Sequence, residues 1–255
     1  MKSLIIANWK CNPESLEKAK LMFNSIQRAA KKSRKIEVVI CPPFLYLDKK
    51  TYSNFKIGAQ NCFWEQAGAF TGEISAKMLK NIGCKYILIG HSERRRILNE
   101  NNSQINKKLK SAIKAKICPV LCIGETLEQK KQGKMKQVLQ TQLFLGLKGV
   151  SRKEIEKSKI SIAYEPVWAI STTTNKKKCS SEEAHIMNLV LRKMLVQKYG
   201  KTVAHKIRIL YGGSVDSKNV RGFIYEAKMD GILVGKASLS PQEFIEIIKA
   251  LEFSK

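Results

Sequence analysis

Short apolar runs alternate along this chain with longer segments in which apolar residues recur every three or four positions. The runs are Leu4–Asn8, Glu37–Cys41, Lys56–Gln60, Tyr86–Gly90, Ile117–Cys122, Ser161–Glu165, Ile207–Tyr211 and Gly231–Val234. Several are apolar at nearly every position, as parallel strands covered on both faces are. Between them, Glu14–Lys31 carries Leu16, Ala19, Met22, Phe23 and Ile26 on one helical stripe. Glu182–Tyr199 carries Ile186, Leu189, Val190 and Met194 on another. Asn12-Pro13 offers a cap and then a proline at the first helical position. Ser180 with Glu183, and Ser240-Pro241-Gln242-Glu243, fit capping boxes. Eight strand–helix units in 255 residues predict an α/β fold, a closed (β/α)8 barrel of eight parallel strands with outer helices. The same count predicts one domain over residues 1–255. An open doubly wound sheet is the alternative that alternation alone leaves.

Composition narrows the setting. Hydrophobic residues make up 44% of the chain, enough for a substantial core, and no run of about 18 apolar residues suggests a membrane span. The opening MKSLIIANWKCN is too short in its apolar part for a signal peptide, so a cytoplasmic protein is expected. Seven cysteines, at 11, 41, 62, 84, 118, 122 and 179, fall mostly in apolar runs. An odd number so placed reads as free thiols in a reducing compartment. Cys118 and Cys122 lack a second ligand pair nearby, so no zinc site is expected.

The formal net charge is +26. Nucleic-acid or anionic-surface binding, steering of an anionic substrate, and a merely solvated lysine-rich surface are all compatible with it. The lysines look scattered along helix faces, for example Lys31, Lys32 and Lys35, Lys107, Lys108 and Lys110, and Lys176, Lys177 and Lys178. No aromatic residues interleave with them as a stacking platform requires. The solvated surface is therefore the expectation, with neither nucleic acid nor membrane as a partner. A clustered basic face would change that reading.

In barrels of this kind the chemistry sits at the carboxyl ends of the strands. The first run ends in Asn8-Trp9-Lys10, the fourth in His91-Ser92-Glu93-Arg94-Arg95, and the sixth in Glu165 followed by Pro166. The seventh ends in Gly212-Gly213-Ser214 and the eighth in Gly235-Lys236. A carboxylate closing an apolar run is costly unless it is paired or its pKa moves, which is the setting of a general base. His91 can donate a hydrogen bond or shuttle a proton. Lys10 offers positive charge to an oxyanion. The two glycine-bearing turns offer backbone N–H groups to a phosphate. Singly, each of these is more often a salt bridge, a structural histidine, a surface cation or a plain turn. Together they form a base, an electrophile, a cation and an anion cradle on one rim. No dinucleotide or P-loop fingerprint is present, so the reaction is expected to need no cofactor. A Schiff-base aldolase would require a lysine inside a strand, and none presents itself. Another phosphosugar reaction on this barrel, and a basic barrel that binds nucleic acid, are the competing functions.

The ordered set NWKCN, GAQNC, GAFTGEIS, GHSERR, VLCIGET, AYEPVWAI, YGGSV and DGILVGKASL resembles the triosephosphate isomerase family, from about Asn8 to Leu239. The resemblance implies a TIM barrel that interconverts dihydroxyacetone phosphate and D-glyceraldehyde 3-phosphate through an enediolate, in glycolysis and gluconeogenesis. It implies Glu165 as base, His91 as electrophile, and Lys10 with Asn8 as groups that stabilise charge on the substrate. It further implies Glu93 as the carboxylate that positions Lys10. Ser171, Ser214, Gly235 and Lys236 correspond to the phosphate cradle, and Pro166 to about Cys179 to a closing lid. Gly68–Glu73 resembles the loop that interlocks two subunits, so a homodimer is expected. Two departures stand out. The lid reads AISTT where the family commonly reads AIGTG, with about three added residues before the next helix. Lys236 stands where a second glycine is usual.

Overall fold

The computed structural model describes residues 2–30, 35–47, 54–170 and 177–252. In it eight parallel strands close into a barrel in chain order. They are β1 (Ser3–Asn8), β2 (Ile36–Cys41), β3 (Lys56–Ala59), β4 (Tyr86–Ile89), β5 (Cys118–Ile123), β6 (Ser161–Tyr164), β7 (Arg208–Tyr211) and β8 (Gly231–Val234). The strands expected from the apolar runs are all present, shifted at their ends by no more than one residue. β8 returns to β1 through the pairs Leu4↔Gly231 to Ala7↔Val234, which excludes the open sheet.

Side-chain alternation explains why the runs are apolar throughout. Leu4, Ile6, Val39, Leu88 and Val120 pack together inside the barrel. Their neighbours Ile5, Ala7, Ile40, Ile87 and Leu121 pack outward in the larger core shared with the helices. Gly231 is required at the closing seam, because a Cβ there would lie 2.1 Å from the carbonyl oxygen of Leu4. At the amino end of the strands Glu37 accepts hydrogen bonds from Lys56 Nζ and the Tyr86 hydroxyl, each at 2.6 Å, and from Arg208 Nη2 at 3.1 Å. This polar cluster lies at the end of the barrel opposite the strand ends that hold the candidate site residues.

Several local expectations are corrected. Asn12-Pro13 does not open the first helix, which spans Leu16–Ala30. Ser15 caps it, its Oγ accepting the Lys18 N–H at 3.3 Å. The box at Ser180 and Glu183 forms in full. At Ser240 only half of it forms, since the Glu243 carboxylate accepts the N–H of Ser217 instead, at 2.7 Å. The helix Ser181–Tyr199 buries Ala184, Met187, Asn188, Leu191, Met194 and Leu195, while Ile186 and Leu189 are exposed. Of the expected stripe, Met194 is buried and Val190 packs on the core, but the buried face is completed by Met187, Leu191 and Leu195, and periodicity alone does not fix its exact phase. Asn188 tolerates burial because its amide donates to the carbonyls of Ala227 and Lys228 at 3.1 and 2.6 Å. Lys108 is not on a solvated face. It is buried in the helix Asn102–Lys114, where it pairs with Glu100 and donates to Asn61 at 2.9 Å.

Candidate active site

Five strand ends meet at the carboxyl mouth of the barrel. At the end of β1, Asn8 is buried and its Oδ1 accepts the backbone N–H of Lys10 at 3.0 Å. This bond closes a turn in which Lys10 takes a left-handed φ of 54°. Gln60, just past β3, fixes that turn from the side by donating its amide to the carbonyls of Lys10 and Cys41 at 2.8 and 2.9 Å. The Lys10 ammonium is thereby directed to Oε1 of Glu93, at 2.5 Å. Its stem passes Gly235, where a Cβ would come within 3.3 Å of Lys10 Cε. The absent side chain at Gly235 leaves the lysine its path.

After β4 the chain enters the short helix Ser92–Ile97, with His91 as its cap residue. His91 Nδ1 accepts the N–H of Glu93 at 3.2 Å. An acceptor at Nδ1 leaves the proton of a neutral ring on Nε2. That nitrogen stands 3.5 Å from Oε1 of Glu165. Arg95 braces this turn, donating to the carbonyls of Gly90 and Cys122 and to Asn102 Oδ1 at 2.8, 3.1 and 2.8 Å.

Glu165 follows β6 and is 1% exposed. Its backbone N–H still continues the sheet to Ile123 O at 2.8 Å, and Pro166 then ends the ladder. Two glycines make room for it. A Cβ at Gly124 would lie 1.8 Å from the Glu165 carbonyl oxygen, and one at Gly212 would lie 2.8 Å from Glu165 Cγ. Oε2 accepts the backbone N–H of Ser92 at 3.0 Å. Oε1 is buried and has no hydrogen-bond partner. A cavity of about 250 Å³, lined in part by Ser92, Arg95, Cys122 and Val167, adjoins this carboxylate.

The turns after β7 and β8 lie alongside. Ser214 Oγ is buried and unpartnered, while the Ser214 N–H is taken by the carbonyl of Ala169 at 3.0 Å. Gly235 opens the short 3-10 helix Lys236–Leu239, where the first N–H groups have no partner within the helix. Lys236 is exposed. Ser238 secures the turn through its Oγ to the Gly235 carbonyl at 2.7 Å. Ser171, and with it residues 172–176 of the expected lid, lies outside the described residues.

Besides Gln60, a buried carboxylate was not among the residues expected from the sequence. Glu125, two residues past β5, is 0% exposed. Its Oε1 accepts the Tyr164 hydroxyl at 3.0 Å and Trp168 Nε1 at 2.7 Å, and its carbonyl accepts the Val167 N–H at 3.0 Å. Lys130 Nζ sits 3.6 Å over the Trp168 ring. Burial pushes the Glu125 pKa up, against the hydrogen bonds from Trp168 and Tyr164 that favour its charged form. Glu125 therefore holds both flanks of Glu165, Tyr164 before it and Val167-Trp168 after it. Its signal was the one that revealed Glu165, a carboxylate closing an apolar run, here VLCIGE.

A sequence model of the triosephosphate isomerase family matches residues 3–251. The chain belongs to the triosephosphate isomerase family. It is 42% identical over 253 residues to the triosephosphate isomerase of Dictyoglomus turgidum, covering 98% of this chain and 99% of that one. It is 44% identical to that of Dictyoglomus thermophilum over the same shares, and 43% identical to that of Alkaliphilus oremlandii over 97% and 98%. As a triosephosphate isomerase family member the chain is an isomerase on a TIM barrel. The resemblance read from NWKCN, GHSERR and AYEPVWAI is the family match itself, and the residues in those motifs converge on one rim.

Proposed function

We propose that the chain interconverts dihydroxyacetone phosphate and D-glyceraldehyde 3-phosphate, with Glu165 as the base. The observation that carries the assignment of roles is the pairing of a buried carboxylate oxygen without a partner, Glu165 Oε1, with the Nε2 of His91 at 3.5 Å. Glu165 takes a proton from the carbon next to the carbonyl, and the electrons of that C–H bond form the C=C bond of an enediolate. His91 Nε2–H hydrogen-bonds the oxygen on which charge collects, and the Lys10 ammonium, held by Glu93, stabilises the same charge. Return of the proton to the neighbouring carbon, with the hydroxyl proton moved between the two oxygens, gives the isomer.

The resting geometry bears on the order of events. A separation of 3.5 Å between Oε1 and Nε2 is too short to hold a substrate carbon and its oxygen, each needing about 3 Å from its own partner. Substrate entry therefore turns the Glu165 carboxylate off the Ser92 N–H. The phosphate falls to Ser214, Gly235 and Lys236, with Ser171 completing the cradle. Support comes from the unpartnered Ser214 Oγ and from the N–H groups at the start of the helix Lys236–Leu239. The Ser214 N–H joins them once the Ala169 carbonyl withdraws, which couples the phosphate to the segment after Glu165.

The active form we infer is a homodimer within the cytoplasm, each protomer one barrel domain. Gly68–Glu73 is exposed throughout, and Phe70 on it is 43% exposed although it packs on Phe63 at 4.8 Å. An aromatic residue so presented suits a partner's pocket. The cysteines are free thiols, which suits a reducing compartment. The test is to supply D-glyceraldehyde 3-phosphate and read dihydroxyacetone phosphate through a coupled dehydrogenase. Turnover is expected with no added cofactor, and its absence in folded protein overturns the assignment.

A further inference from the structure

Every strand of the barrel has a lysine at or shortly before its start. On β1 to β4, Lys2, Lys35, Lys56 and Lys85 stand at or directly before the first residue of the strand. On β5 to β8, Lys116, Lys159, Lys206 and Lys228 stand two or three residues before it. All eight are exposed. Because the strands are parallel and the barrel is closed, they form a ring around its amino mouth, the end away from the active site. Lys80 joins the ring, its Nζ donating to the Lys116 carbonyl at 3.0 Å.

The acids at this end neutralise only part of the ring. Glu37 is taken up by Lys56, Tyr86 and Arg208 inside the mouth. Asp230 is held by Arg192 at 2.9 Å and by the Ile209 N–H. Glu156 pairs with Lys206 at 2.6 Å, and Glu252 accepts the backbone N–H of Lys35 at 3.3 Å. Among the described residues, Lys2, Lys85, Lys116, Lys159 and Lys228 have no carboxylate partner. Lys116, Lys159 and Lys228 also sit at φ of 57°, 51° and 55°. Glycine is the residue ordinarily favoured in that left-handed conformation, yet each position carries a cation.

We propose that this ring is a sequence-independent binding face for the phosphate backbone of duplex nucleic acid. Eight strands about 4.8 Å apart and tilted by about 36° give a mouth about 15 Å across. A duplex carries one negative charge per ~1.7 Å of axis, so about nine charges cross that span, facing a ring in which Lys56 and Lys206 are already ion-paired and Lys2, Lys85, Lys116, Lys159 and Lys228 have no carboxylate partner among the described residues. The ring is all lysine, a point charge suited to phosphates; the forked guanidinium that reads guanine edges is absent from it. It therefore supplies affinity without sequence choice. A bilayer fits less well, because lasting attachment by a basic patch needs a second, apolar anchor. Among the described residues the turns that carry these lysines hold no exposed large apolar side chain.

The test uses the full-length protein and labelled duplex DNA of two unrelated sequences, read by fluorescence anisotropy across a salt series. The ring predicts equal affinity for both sequences and a logarithmic fall with salt. In the triple variant K116Q/K159Q/K228Q the slope should fall by up to about 3. The matched variant K131Q/K134Q/K136Q, which removes the same charge from another exposed face, should keep the parental slope. Isomerase turnover should be unchanged in both variants, which also reports that they fold. Equal weakening in the two variants, no binding at moderate salt, or binding confined to phosphatidylserine vesicles overturns the proposal.

Discussion

Oε2 of Glu165 rests on the backbone N–H of Ser92 at 3.0 Å. Ser92 is the first residue of its helix, and His91 before it is at φ −51° and ψ 143°. A proline is tolerated at that helix position and after that backbone conformation. Ser92→Pro therefore removes the resting hydrogen bond with little other strain. It should destabilise the folded protein by about 1–3 kcal/mol, the cost of an unsatisfied buried acceptor, while kcat stays within about tenfold of the parent. Urea unfolding and the coupled assay check this. A loss of activity as deep as that from removing Glu165 itself would show that the Ser92 contact is needed in the reaction and is not a parking place.

Gly212 sets the position of the Glu165 side chain from the other side. A Cβ there would lie 2.8 Å from Glu165 Cγ, so Gly212→Ala must push the carboxylate. A displacement of about 1 Å can cost on the order of a hundredfold in rate. The expected result is a large fall in kcat with a folded protein by circular dichroism. Unchanged kcat would mean that the carboxylate is placed by the substrate rather than by the resting scaffold.

The Lys10–Glu93 pair is held at 2.5 Å, with side chains 15% and 28% exposed. Glu93→Gln keeps an oxygen for Lys10 but removes its charge. Exchanging a charged for a neutral acceptor weakens the bond by about 1 kcal/mol, or roughly fivefold to tenfold in kcat/KM. Steady-state kinetics of Glu93→Gln and Glu93→Ala should show the larger loss in the alanine variant. Equal values for the two would remove Glu93 from the positioning of Lys10.

Two carboxylates, Glu37 half-buried and Glu125 fully buried, give opposite pH dependences. For Glu37, burial pushes the pKa up, but hydrogen bonds from Lys56 and Tyr86 and the charges of Lys56 and Arg208 outweigh it and hold the pKa below 4.5. Its contribution to stability is present above the unfolded value and is lost as pH falls through the depressed one. For Glu125 burial wins and the pKa lies above 4.5. Its contribution is fully present below the unfolded value and is lost as pH rises through the raised one. Urea unfolding as a function of pH should therefore show a shallower acid decline in Glu37→Gln. Glu125→Gln should lose the decline that accompanies ionisation of Glu125 on the way to neutral pH. The same slope change in both variants would contradict these assignments.

The barrel was legible because its parallel strands are apolar on both faces and end at chemistry. His91 and Glu165 stand out as candidates for that reason, at the ends of β4 and β6, and the fold brings them to 3.5 Å of each other. What periodicity left open was phase: the helix Ser181–Tyr199 has two apolar stripes, and only contact with β7 and its neighbours decides between them. Charge was misread where burial depends on partners outside the helix, as for Lys108, whose acceptors are Glu100 in the turn before its own helix and Asn61, 47 positions away. Gln60 and Glu125 act through hydrogen bonds to residues 50 and 43 positions away; the run VLCIGE marks Glu125 as a candidate, but no local pattern encodes the partners of either. The lysine ring was hidden for the same reason, since its members are dozens of residues apart and meet only when the barrel closes.

The proton transfer assigned to Glu165 is tested most directly by the turnover of Glu165→Gln on D-glyceraldehyde 3-phosphate. Glutamine keeps the size of the side chain and its acceptor for the Ser92 N–H but cannot take the proton. The account predicts a fall in kcat of at least about a hundredfold with little change in KM. A kcat near that of the parent would contradict it.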